Sequence, residues 1–96
     1  MNEKKIKESA RGEECSVRIP RVCNGNPETT VFAHLNGIRF GHGVGRKTKW
    51  GAYACSACHD EVDGRTRIQG DRQFVKLCHL EGAIETQDIL EKKGLL

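Results

Sequence analysis

Cys55-Ser56-Ala57-Cys58 holds two thiols at a spacing that turns both sulfurs toward one tetrahedral cation, with nearby backbone N–H groups free to bond them. Such a pair supplies half of a four-ligand site. Cys15 and Cys23 are the candidates for the other half, although seven residues separate them rather than the usual two to four. A turn containing Pro20 would have to bring those two thiols together. The alternative makes Cys15 and Cys23 ordinary buried thiols and Cys55/Cys58 a redox pair. A thioredoxin-like pair wants a βαβ context, which a chain this short does not supply. Cys78 falls on the apolar side of a late helix and is expected as a small core residue.

His59 follows Cys58 directly and Asp63 lies four residues on, so a helix there would put both side chains on one face. An imidazole and a carboxylate so placed can grip a divalent cation from one side and leave coordination positions open. His34 ends a short β-branched and aromatic run. With an ordinary pKa near ~6.5 it can accept a proton from an attacking water at neutral pH. Taken singly, each histidine reads as a surface or hydrogen-bonded side chain. It is the order of strand-end His, Gly-rich stretch, Cys-x-x-Cys-His and short helix that raises them together.

The elements that must position these groups are short. Residues 15–30 have the composition of a turn-rich knuckle, and 29–35 read as a strand. Residues 36–49, with Gly37, Gly41, Gly43 and Gly45, read as a long loop, and 50–54 as a second apolar run. A helix over 56–64 should stop at Gly64. Asp71 is an N-cap for an amphipathic helix, with Phe74, Leu77, Cys78 and Glu81 on one face and Val75 and Leu80 flanking it. Gly82 is expected to break that helix, which resumes over 83–93 and stops at Gly94. Residues 1–14 read as a flexible tail or short helix, and 15–96 as a single domain.

A chain of 96 residues, 36% hydrophobic with five aromatics, has a thin core that needs a metal, a partner or disulfides. The sequence has no run apolar and long enough for a membrane span or a signal-peptide core, so a cytoplasmic location is expected. Thiols stay reduced there, and five cysteines then read as metal ligands rather than a disulfide framework. The net charge of +3 is a mild basic bias, but its distribution is uneven. Arg39, Arg46, Lys47 and Lys49 lie in a Gly-rich stretch without an acid, and Arg65 and Arg67 follow the short helix. That pattern suits a phosphate-facing surface, and a solvated loop is the bland alternative.

The run Cys15…Cys23, Val31-Phe32-Ala33-His34 and Ala54-Cys55-Ser56-Ala57-Cys58-His59-Asp60 resembles the four-cysteine HNH (ββα-metal) endonucleases over residues 15–64. Cys23-Asn24-Gly25-Asn26-Pro27-Glu28-Thr29-Thr30 and the chain length are similar to the small prophage-encoded YbcO nuclease family. The resemblance implies a small α+β domain with a C-terminal helical segment and a structural Zn²⁺ on Cys15, Cys23, Cys55 and Cys58. It further implies His34 as general base, His59 and Asp63 as ligands of a catalytic Mg²⁺ or Mn²⁺, and DNA as substrate. Arg39, Arg46, Lys47, Lys49, Arg65 and Arg67 would then hold flanking phosphates. Two positions depart from the family pattern: Ala33 stands where an acidic or histidine ligand is usual, and Trp50 where an Asn is usual. Asn36 and His42 are candidates for the missing role. The runner-up is a non-catalytic zinc-stabilised DNA-binding or adaptor module, favoured by Ala33. No oligomeric state is implied.

Overall fold

The computed structural model describes residues 3–35 and 50–96. The order is α1 (Glu3–Ser9), a single 3-10 turn (Pro27–Thr29), β1 (Val31–His34), β2 (Gly51–Ala54), α2 (Ser56–Val62) and α3 (Arg72–Lys92). The two strands pair antiparallel, Val31 opposite Ala54 and His34 opposite Gly51, and α2 follows β2 directly. The fold is small α+β, with the ββα succession in its middle. The loop expected over 36–49 falls outside the described residues.

A two-stranded sheet cannot stand alone in water, and small side chains let the rest of the chain cover it. Gly51, Ala52 and Ala54 keep β2 low enough for α3 to lie on it, and all four β2 residues are buried. β2 has its outer backbone groups satisfied from both sides. The Tyr53 N–H donates to Thr86 Oγ1 of α3 at 3.0 Å, and the Ser16 N–H donates to the Tyr53 carbonyl at 2.7 Å. At Gly51 a Cβ would stand 2.6 Å from the Phe32 ring, so only glycine fits opposite His34.

α3 departs from expectation in two ways. Asp71 does cap it, accepting from the Gln73 and Phe74 N–H groups at 3.1 Å, but Gly82 does not break it. The absent side chain at Gly82 admits the knuckle backbone: a Cβ there would meet the Ser16 carbonyl oxygen at 3.0 Å. The buried face is also a different one. Val75, His79, Gly82, Ala83, Thr86 and Leu90 turn inward, whereas Phe74, Leu77, Leu80 and Ile84 are exposed. Cys78 is half-buried at the rim of the core.

Of the flexible tail or short helix expected over 1–14, Glu3–Ser9 form the short helix α1, and it is docked. Ile6 and Ala10, four residues apart, insert beside Phe32, Tyr53 and Leu90, and Ser9 Oγ meets the Tyr53 hydroxyl at 2.8 Å. That satisfies the one polar atom of an otherwise buried ring.

Glu61 of α2 is fully buried and organises the turn into α3. Its carboxylate accepts from the Thr66 hydroxyl and the Ile68 and Gln69 N–H groups, and pairs with Arg72 at 3.2 Å. Burial pushes its pKa up, but these four donors outweigh it and hold the carboxyl below the ordinary range. Its stabilisation is therefore present above the unfolded value of ~4.3 and lost as pH falls through the folded one. Glu61→Leu strands Arg72 and two N–H groups and should cost about 3–5 kcal/mol in urea denaturation. A loss below ~1 kcal/mol, the worth of an exposed pair, would contradict this role.

Candidate metal centre and active-site groove

The knuckle from Cys15 to Cys23 closes by backbone conformations that no glycine announces. Arg18 (φ 47°) and Arg21 (φ 69°) are left-handed, and the chain curls so that its N–H groups face sulfur. The Arg18 N–H donates to Cys15 Sγ at 3.4 Å and the Ile19 N–H to Cys58 Sγ at 3.5 Å. Cys55 Sγ caps α2 by accepting from the Cys58 N–H at 3.4 Å, and it also accepts from the Asn24 N–H at 3.5 Å.

The four sulfurs of Cys15, Cys23, Cys55 and Cys58 all lie within 4.8 Å of one another. Cys23 and Cys55 sulfurs stand 3.8 Å apart, far beyond the ~2.05 Å of a disulfide. That separation is the edge, about 3.8 Å, of a tetrahedron built on 2.3 Å metal–sulfur bonds. The Cys58 thiol shares its proton with Cys15, which pulls the Cys15 pKa down to about 4 and pushes that of Cys58 up. Burial raises Cys23 to about 11. A cation bound there would displace those protons, as thiolate ligation requires. These cysteines can hold a metal ion.

His34 and His59 open onto one groove, bordered by Phe32, whose ring meets His34 edge-on at 5.1 Å. His59 is brought there by α2, and its Nε2 lies 3.2 Å from Asp63 Oδ2 at the helix C-terminus. The expected i, i+4 pair is thus formed. Arg65 also reaches Asp63 (3.3 Å) and Asp60 (2.9 Å), so its exposed guanidinium is engaged by two acids. Arg67 lies beside Gly64. Arg39, Arg46, Lys47 and Lys49, with Asn36 and His42, lie outside the described residues.

Sequence reasoning left His79 without a role. It is buried on α3, and its Nε2–H donates to the carbonyl of Ala33 at 2.9 Å, one residue before His34. Burial holds its pKa below the ordinary histidine value, against the opposing pull of the Ala33 bond and of Asp63. The ring is neutral, with its proton on the nitrogen that grips β1. A depressed histidine stabilises fully above the unfolded pKa of ~6.5, and that contribution is lost as pH falls through the folded value. His79→Leu, which removes the side-chain hydrogen bond to the Ala33 carbonyl, should cost about 0.5–1.5 kcal/mol. It should also flatten the loss of thermal stability between about pH 7 and 5. An unchanged melting curve at both pH values would refute the anchoring role.

The profile of the family described as "Putative nuclease YbcO" matches residues 4–95. The chain is 50% identical over 93 residues to "Putative nuclease YbcO" of Escherichia coli (strain K12), covering 95% of each chain. It is similar to the same extent to "Putative nuclease ybcO" of Enterobacteria phage 82. A solved structure, described as that of a putative bacteriophage protein from Escherichia coli str. K-12 substr. MG1655, superposes with a TM-score of 0.77. There the identity is 48%, and the match covers 94% of this chain and 100% of that one.

Proposed function

Because the chain belongs to the YbcO family, we propose that it is a metal-dependent HNH-type endonuclease hydrolysing phosphodiester bonds in DNA. The observation that carries this reading is the convergence of His34, from the end of β1, and His59, from α2, on one groove. The four-cysteine centre behind it takes Zn²⁺ as a structural ion, since four thiolates at tetrahedral spacing suit that cation. Four free thiols in one site suit a reducing compartment such as the cytoplasm. Among the described residues no helix is long and apolar enough to cross a membrane.

In this mechanism His34 takes the proton from the water that attacks phosphorus. His79 fixes the backbone next to His34 from behind, so the imidazole is presented at a constant height above the groove. His59 and Asp63 would hold the second cation, Mg²⁺ or Mn²⁺, and the imidazole nitrogen favours the softer Mn²⁺ of the two. When bound, that ion supplies neutralisation of charge on the scissile phosphate and the leaving oxygen. Arg39, Arg46, Lys47 and Lys49, with Arg67, are proposed to hold flanking phosphates, contacts that position the strand without reading sequence. Arg65 is proposed to keep Asp63 oriented as well.

His59→Ala should raise the Mg²⁺ or Mn²⁺ concentration needed for half-maximal plasmid nicking, with excess Mn²⁺ recovering part of the rate. Asp63→Ala should behave the same way in milder form, and both variants should keep their zinc. An unchanged cation requirement would place the second metal elsewhere. Ala33, where HNH endonucleases usually carry an acidic or histidine ligand, favours the second reading of a DNA-binding module without turnover. In that case DNA binds but is never cut at any cation concentration.

A further inference from the structure

The groove holding His34 and His59 has a volume of about 1090 Å³, and its other wall is α1 with the turn that follows it. Lys7, Glu8 and Arg11 line that wall. This is not a tail brought near by chance. Ile6 and Ala10 are buried under it, Ser9 is bonded to Tyr53, and the Gly12 N–H donates to the Pro27 carbonyl at 3.2 Å. The groove therefore meets its cations on a docked element, at fixed places relative to the histidines.

Their lack of partners is the second observation. Arg18, Arg65, Arg72, Lys92 and Lys93 each pair with a carboxylate. Lys7 and Arg11, like Lys4, Arg21, Arg67 and Lys76, have no ion-pair partner among the described residues, and of these six only Lys7 and Arg11 line the groove. Two cations and one acid leave the wall at a net +1, which suits one or two phosphates rather than a wide polyanion track. Thr30 lines the same groove, and its hydroxyl is the one buried side-chain oxygen without a partner among the described residues.

We propose that α1 forms a phosphate-binding wall, with Lys7 and Arg11 holding the DNA backbone beside the phosphate presented to His34. The assignment rests on the nuclease reading above and extends its DNA interface to the N-terminal helix. It makes the docking of Ile6 and Ala10 a requirement of substrate binding as well as of folding.

The test is binding of a short fluorescent DNA duplex by the zinc-loaded full chain, without added divalent cation, across a salt series. Each phosphate contact contributes about 0.9 to the slope of log affinity against log salt. Lys7→Ala with Arg11→Ala should therefore lower the slope by about 1.8 and weaken low-salt binding roughly tenfold or more. Lys7→Arg with Arg11→Lys should keep the parent slope. Lys92→Ala with Lys93→Ala, which removes two ion-paired cations from the end of α3, should also leave it unchanged. Melting curves confirm that α1 stays docked in the alanine pair, since Ile6 and Ala10 are untouched. A parent-like slope in the alanine pair, with the parent binding normally, overturns the wall and leaves the nuclease reading standing. A parent that shows no salt-dependent binding overturns both.

Discussion

A chain carrying Cys58→Ser should fail to fold at ambient temperature and carry no zinc, whereas the parent should bind about one ion per chain. Cys58 is fully buried, its sulfur is shared with the Ile19 N–H, and it lies within 4.8 Å of three other sulfurs. Serine removes a thiolate and leaves a small hydroxyl in a site shaped for sulfur. A structural zinc contributes about 10–16 kcal/mol to folding, whereas a domain of this size has roughly 5–15 kcal/mol of net stability in all. The centre joins the knuckle to the start of α2, so its loss separates the halves that define the groove. Cys55→Ser should behave alike. Cys78→Ser, at a half-buried position away from the centre, should stay within about 1–2 kcal/mol of the parent. Circular dichroism melting with metal analysis reads all three. A metal-free Cys58→Ser protein with a sharp thermal transition would refute the zinc assignment.

The second large effect is on turnover. His34→Ala removes the proposed proton acceptor while leaving the knuckle, α2 and the His59–Asp63 pair in place. DNA cleavage should fall by about 10²–10⁴-fold, the usual worth of a positioned base, with the divalent-cation requirement unchanged. His59→Ala shifts the cation requirement instead, so base and ligand fail in distinguishable ways. Because Gly51 is the only residue that fits opposite His34, a Gly51→Ala change should mimic loss of the base by displacing Phe32 and the strand end.

The spacing of Cys55, Cys58 and His59 made the centre and α2 legible in the sequence, because a knuckle demands those residue types at those intervals. β1 was legible from its β-branched and aromatic content, β2 only as a short apolar run, and the cap of α3 from Asp71. The buried face of α3 was not. Hydropathy favours Phe74, Leu77 and Leu80, yet the helix buries His79, Gly82 and Thr86, each suited to one particular backbone neighbour. Such choices are made by close approach and hydrogen bonding rather than by transfer free energy. The buried apolar contact of α1 comes from Ile6 and Ala10, too few residues to register as a periodic stripe. The left-handed Arg18 and Arg21 carry no sequence signal at all, which is why Pro20 drew attention instead.

The central claim is that this groove cuts DNA with His34 as base. Its most direct test is a supercoiled-plasmid nicking time course with zinc-loaded parent and His34→Ala, purified identically and supplied with Mn²⁺. The account predicts nicking by the parent that stops when Mn²⁺ is withheld, and a rate about 10²–10⁴-fold lower in the variant. Equal rates from the two proteins, or nicking that persists without any added divalent cation, would contradict it.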